Sequence, residues 1–125
     1  MNWKFDNSIP IYTQLVDRFR QAIVSGEFSS GDKLPAVRDI SAQAGVNPNT
    51  MQRAFQELER LGLVYTLRSS GRYVTEDSGV IDRAKEAMAE EQVLKFLGAM
   101  KSLGFRKEQI IGLIDRDMEE NNGNI

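Results

Sequence analysis

The side chains best suited to chemistry gather in one run, Asn47-Pro48-Asn49-Thr50-Met51-Gln52-Arg53. Asn49, Thr50, Gln52 and Arg53, with Gln56 one turn later, carry hydrogen-bond donors and acceptors rather than nucleophiles or metal ligands. Asn and Gln amides pair bidentately with adenine and the Arg guanidinium pairs with guanine, so these residue types suit the reading of base edges. A helix that begins here adds unpaired N–H groups and the positive end of its dipole, which suit a phosphate. The chain has no histidine and no cysteine. That removes Ser-His-Asp and Cys-His catalysis, disulfides and the usual zinc ligands. No glycine-rich phosphate loop follows a strand. We therefore assign no catalytic residue, no metal ligand and no cofactor.

Two short helices must position this run. The first is read over residues 36–44, with Val37, Ile40 and Ala44 on one face; the second over 48–61, with Met51, Ala54, Phe55, Leu58 and Leu61 on one face. These spacings of three and four are those of amphipathic helices. Gly45 can turn the chain at no steric cost, Asn47 is a good N-cap, and Pro48 fits the first helical position, where an N–H is not needed. Two such helices across a glycine turn make a helix-turn-helix. Glu57 and Glu59 come later in the second helix, away from the reading end.

Upstream, Trp3 and Phe5 alternate with polar residues and predict a short edge strand or a packed arm. Pro10 opens a helix over 11–25, with Ile11, Leu15, Phe19, Ala22 and Ile23 buried and Gly26 ending it. Ser29-Ser30-Gly31-Asp32 is a turn. Downstream, residues 63–67 and 72–75 flank Arg68-Ser69-Ser70-Gly71 and read as a β-hairpin. Arg68 and Arg72 bracket its tip and are expected near phosphates, where basic side chains position a protein more than they read bases. Asp77 or Ser78 then caps a long helix over 80–103, and a second helix starts at Phe105. Val93, Phe96, Leu97 and Met100, then Ile110, Ile111 and Ile114, form apolar bands too wide for one hairpin to bury within itself. A second copy of the same hairpin would cover them. The acidic stretch 115–122 reads as a solvated, fraying end.

Formal net charge is −2, but residues 1–75 carry +2 and residues 76–125 carry −4, which places a DNA face in the first part. No secretory signal and no long apolar run is present, so a cytoplasmic location with no membrane contact is expected. The expected fold is mainly α with a small β-hairpin wing: a winged helix-turn-helix over 1–76, then an α-helical hairpin over 77–125 that dimerises.

The runs PIYTQL (10–15), GDKLPAVRDI (31–40), GVNPNTMQRAFQELERLGLV (45–64) and RSSGRYV (68–74) follow one another in an order that resembles the winged helix-turn-helix domain of GntR-family transcription regulators. The short two-helix tail resembles the YtrA-type branch. The resemblance implies sequence-specific binding of a double-stranded DNA operator by a homodimeric repressor, an inverted-repeat operator, and control of an ABC-transporter operon. It implies DNA contacts from Arg38, Asn47, Asn49, Thr50, Gln52, Arg53, Arg68, Ser70, Gly71 and Arg72. Arg38 holds the arginine place of the LP-x-x-R motif. It also implies a first helix that supports the dimer, with Tyr12 and Phe19 facing either a partner or the core. The chain departs from the family pattern where Ser69 replaces the first glycine of the wing tip, where Arg72 replaces a frequent threonine, and where Pro48 and Gln52 replace frequent basic residues. No effector signal is present; Met88, Phe96 and Tyr73 read as packing residues. The alternative is a winged-helix protein-interaction module without specific DNA binding. Convergence of Arg38, Arg53, Arg68 and Arg72 favours DNA.

Overall fold

Glycine and proline punctuation sets the element boundaries. In the computed structural model, which describes residues 1–121, the order is α1 (Ile11–Val24), α2 (Val37–Ala44), α3 (Pro48–Arg60), β1 (Val64–Leu67), β2 (Gly71–Val74), α4 (Ser78–Ser102) and α5 (Lys107–Glu120). The last residues of the acidic stretch, from Asn122 on, lie outside the described residues. Two compact units result, Met1–Glu86 and Ala87–Ile125. The first extends past Glu76 because Val80, Ile81 and Ala84 at the start of α4 pack against its core.

In the first unit α1 and α2 both pack on α3. Leu15, Phe19, Ile23, Leu34, Ile40, Met51, Ala54, Phe55, Leu58, Leu63, Val64 and Val74 make the core. Phe19 and Phe55 meet edge to face at 5.1 Å between ring centres, a favourable aromatic geometry. Phe19 is thus core, not a partner contact. The N-terminal residues form a packed arm with no strand. Trp3 lies 6.0 Å from Phe19, and the Gln14 amide clasps the Asp6 backbone, accepting from its N–H at 2.8 Å and donating to its carbonyl at 2.7 Å.

The turn between α2 and α3 obeys local rules. Gly45 caps α2 at φ +68, where a side chain would be strained. The Asn47 side chain accepts from the Asn49 N–H at 2.8 Å, and Pro48 takes the first helical position. Leu61 corrects the expected core face. The helix stops at Arg60, the chain reverses at Gly62, and Leu63 takes the interior place, leaving Leu61 38% exposed.

The hairpin pairs Val64 with Val74, Tyr65 with Tyr73, Thr66 with Arg72 and Leu67 with Gly71. The stretch 31–34, read from sequence as a plain turn and lead-in, also pairs with β2. Leu34 N–H donates to the Arg72 carbonyl and Val74 N–H to the Asp32 carbonyl, both at 2.8 Å, and Lys33 bridges Tyr73. Strand β2 is therefore paired along both of its edges, by β1 on one side and by residues 31–34 on the other.

In α4 the Asp77 carboxylate caps the first turn, accepting from Gly79 and Val80 N–H groups at 2.9 and 3.4 Å. The second helix begins at Lys107 rather than Phe105, because Gly104 (φ +88) turns the chain and the Arg106 N–H is closed by the Gln109 side chain at 3.0 Å. In the second unit Ile110 is buried, whereas Val93, Phe96, Ile111 and Ile114 remain exposed. Leu97, Phe105, Ile110, Ile111 and Ile114, with Lys101, Arg106 and Lys107, line an open groove of about 560 Å³. Among the described residues no helix is long and apolar enough to cross a membrane.

Candidate nucleic-acid interface

Helix α3 has two opposed faces. Met51, Ala54, Phe55 and Leu58 are buried in the core. Asn47, Asn49, Arg53 and Gln56 are exposed, and Thr50 and Gln52 are half-buried beside them. The polar side chains thus stand at the helix start, on the side that the core does not use. The Asn47 side chain is already spent on the cap, satisfying an N–H that the first turn leaves free. The Arg53 guanidinium lies 4.6 Å over the Tyr12 ring, so α1 steadies it by a cation–π contact. Tyr12 thus packs at the margin of the core beneath Arg53.

Arg38 is the second residue of α2 and is exposed, with no hydrogen bond or ion pair among the described residues. It makes no ion pair with the adjacent Asp39. Arg68 at the hairpin tip is likewise exposed and unpaired among the described residues. The tip turns through Ser69 at φ 64 and Gly71 at φ 134. Ser69 thereby adopts a left-handed conformation that glycine would adopt at lower cost. Ser70 Oγ bonds the Tyr73 hydroxyl, and Tyr73 stacks on Tyr65 at 5.8 Å between ring centres.

Arg72 is placed differently from a free phosphate contact. Its side chain is only 19% exposed. Its Nε donates to Glu59 Oε1 at 2.6 Å, its Nη1 donates to Gln52 Oε1 at 3.4 Å, and its guanidinium lies 5.4 Å over Phe55. Thr66 Oγ1 donates to the same Glu59 oxygen at 2.7 Å. The Thr66 hydroxyl first, and the Arg72 guanidinium after it, hold the Glu59 carboxyl below its ordinary range against the opposing effect of burial. Glu59, expected away from the reading end, thus belongs to its support. The available signal was its spacing of seven from Gln52, two helical turns along one face.

Lys33 was also missed. A Cβ built on Gly71 would stand 3.0 Å from Lys33 Cε, so the lysine crosses directly beside the wing tip. No local pattern marks it, because its neighbour Tyr73 is forty positions away. A cleft of about 350 Å³ between residues 33–37 and the wing is lined by Lys33, Leu34, Pro35, Phe55 and Arg72, among others.

A helix-turn-helix with a polar, N-capped second helix and a β-hairpin beside it defines a protein of the winged helix-turn-helix class. The family model of bacterial regulatory proteins, gntR family, matches residues 11–74. The uncharacterized HTH-type transcriptional regulator YhcF of Bacillus subtilis is 40% identical over 111 residues, covering 89% of this chain and 92% of that protein. The HTH-type transcriptional repressor YtrA of the same organism is 36% identical over 92 residues, covering 73% of this chain and 71% of that one. A solved GntR family transcriptional regulator from Listeria monocytogenes superimposes with a TM-score of 0.84 at 40% identity, covering 90% of this chain and 98% of that one. The chain belongs to the GntR family: it is a DNA-binding transcriptional regulator and not an enzyme.

Proposed function

We propose that this protein is a homodimeric, cytoplasmic repressor that binds an inverted-repeat operator and controls an ABC-transporter operon. The observation that carries the dimer is the apolar band of the second unit, on which Val93, Phe96, Ile111 and Ile114 are each more than 40% exposed. With the half-buried Leu97 and Met100 they offer a surface that a second copy would cover, as contiguous exposed apolar patches require, whereas Ile110 is already buried within its own unit and backs that surface. Two-fold symmetry then presents two α3 helices to successive major-groove faces, about 34–36 Å apart, which is the spacing an inverted repeat provides. Asn49, Thr50, Gln52 and Arg53 read bases or adjacent phosphates, and Asn47 holds the helix start. Arg38 anchors from α2, and Arg68, Ser70 and Gly71 meet the flanking backbone. Arg72 backs the wing against α3 instead of reaching outward. The repressor role is supported by similarity to YtrA, which is a repressor.

The test is a titration against a labelled duplex from the region upstream of the protein's own gene, at two salt concentrations with competitor DNA. The expected result is binding that survives competitor, with two chains per site. Binding by single chains would defeat the dimer. Loss of all binding to competitor would defeat an operator at that place.

A further inference from the structure

The polar contacts joining wing to helix also constrain what Gln52 can offer. Thr66 Oγ1 and Arg72 Nε converge on Glu59 Oε1 at 2.7 and 2.6 Å, and this clamp sets where the guanidinium lies. From there Arg72 Nη1 reaches Gln52 Oε1 by a longer contact of 3.4 Å. A guanidinium has donors only, so the amide must meet it with its carbonyl oxygen. The Gln52 NH2 group is left without a partner among the described residues.

Resting on the placement of α3 against base edges, we propose that Gln52 reads DNA as a donor only, and that Arg72 and Glu59 are the positioning residues that set its preference. A free glutamine presents acceptor and donor side by side and matches adenine, which shows N6–H2 and N7. Here the acceptor is engaged. Its second lone pair remains, but an adenine N6–H2 brought to it arrives beside a guanidinium, donor against donor. Guanine shows two acceptors, O6 and N7, and suits the free NH2 group. The nearby positive charge also polarises the amide and strengthens its N–H donors. The base pair facing Gln52 is therefore guanine-containing, and adenine in its place weakens binding about five- to tenfold. This preference belongs to a chain with arginine at position 72; a threonine there has no guanidinium to occupy the amide oxygen.

The experiment selects bound duplexes from a random-sequence library with the full chain and with Arg72→Thr, Glu59→Gln and Gln52→Ala, each shown folded by its thermal melt. Wild type is expected to enrich one guanine per half-site that Gln52→Ala alone flattens. Arg72→Thr and Glu59→Gln are expected to turn that position to adenine and leave the other positions unchanged. Adenine already preferred by wild type, or a guanine that persists in both Arg72→Thr and Glu59→Gln while Gln52→Ala flattens it, overturns the proposal and leaves DNA reading by α3 intact. A motif indifferent to Gln52→Ala removes Gln52 as a reader. No enriched motif from wild type defeats specific DNA reading itself. If Arg72→Thr does not fold, Glu59→Gln decides.

Discussion

Replacing Arg38 by alanine separates phosphate anchoring from folding. Arg38 is exposed on the first turn of α2 and holds no partner among the described residues. Its removal breaks no contact of the fold, and a substitution of that kind changes stability by no more than about 0.5 kcal/mol. Its effect should appear in DNA binding alone. The proposed symmetric dimer would bring two copies of Arg38 to each operator. Each neutralised phosphate contributes about −0.9 to the slope of log affinity against log salt, so losing both contacts should flatten that slope by about 1.8. Over the fourfold rise from about 50 to 200 mM salt, the variant should lose about twelvefold less affinity than wild type does. Fluorescence anisotropy on a labelled operator duplex, repeated at four salt concentrations, measures both slopes. Sedimentation and a thermal melt confirm that the variant keeps its assembly and fold. An unchanged slope with unchanged affinity would refute the placement of Arg38 on the backbone. An unchanged slope with altered base preference would move it to the base edges.

Further outcomes follow from other parts of the structure. Gly45→Ala places a Cβ in open space, so only the left-handed backbone (φ +68) resists it; a loss of about 1 kcal/mol is expected, read as a lower melting temperature. Ile111→Glu puts a charge into the exposed apolar band of the second unit. Losing roughly 2 kcal/mol of burial from each chain should weaken a dimer about 10²- to 10³-fold, giving monomers in sedimentation velocity at micromolar concentration. The Glu59 carboxyl is held below its ordinary value of 4.5, so the folded state favours its charged form. That contribution is complete above the unfolded value and is lost as pH falls through the folded one. Between pH 6 and pH 3 the wild-type melting temperature should therefore fall more than that of Glu59→Gln, and parallel curves would contradict the clamp.

The helix-turn-helix was legible from local chemistry. Gly45, Asn47 and Pro48 act within one turn of their own positions, and the spacing of Met51, Ala54, Phe55 and Leu58 announces the buried face before any packing is known. The hairpin was legible in the same way, from short β-forming runs around Ser70 and Gly71. Leu61 shows where periodicity overreaches. Spacing continues its stripe past Arg60, but the helix has already ended, and it is Leu63 that the chain reversal carries inward. The long, weakly patterned α4 was legible in its approximate extent. That its first turns belong with the first unit depends on Val80, Ile81 and Ala84 meeting a core assembled from distant residues.

The sequence by itself determined which residues are polar at the start of α3, that cations stand at positions 38 and 68, and that the second unit carries more apolar surface than it can hide. These are properties of residue type and of neighbours within a helical turn. Only the tertiary structure decided that Arg72 turns back to Glu59 and Gln52, that Lys33 lies beside the wing tip, and that residues 31–34 pair with β2. Those partners stand thirteen to forty-three positions apart, and no local propensity links them. They meet because the hairpin folds back onto α3 over Phe55. The same folding turns an arginine that sequence would send to a phosphate back onto Glu59 and Gln52.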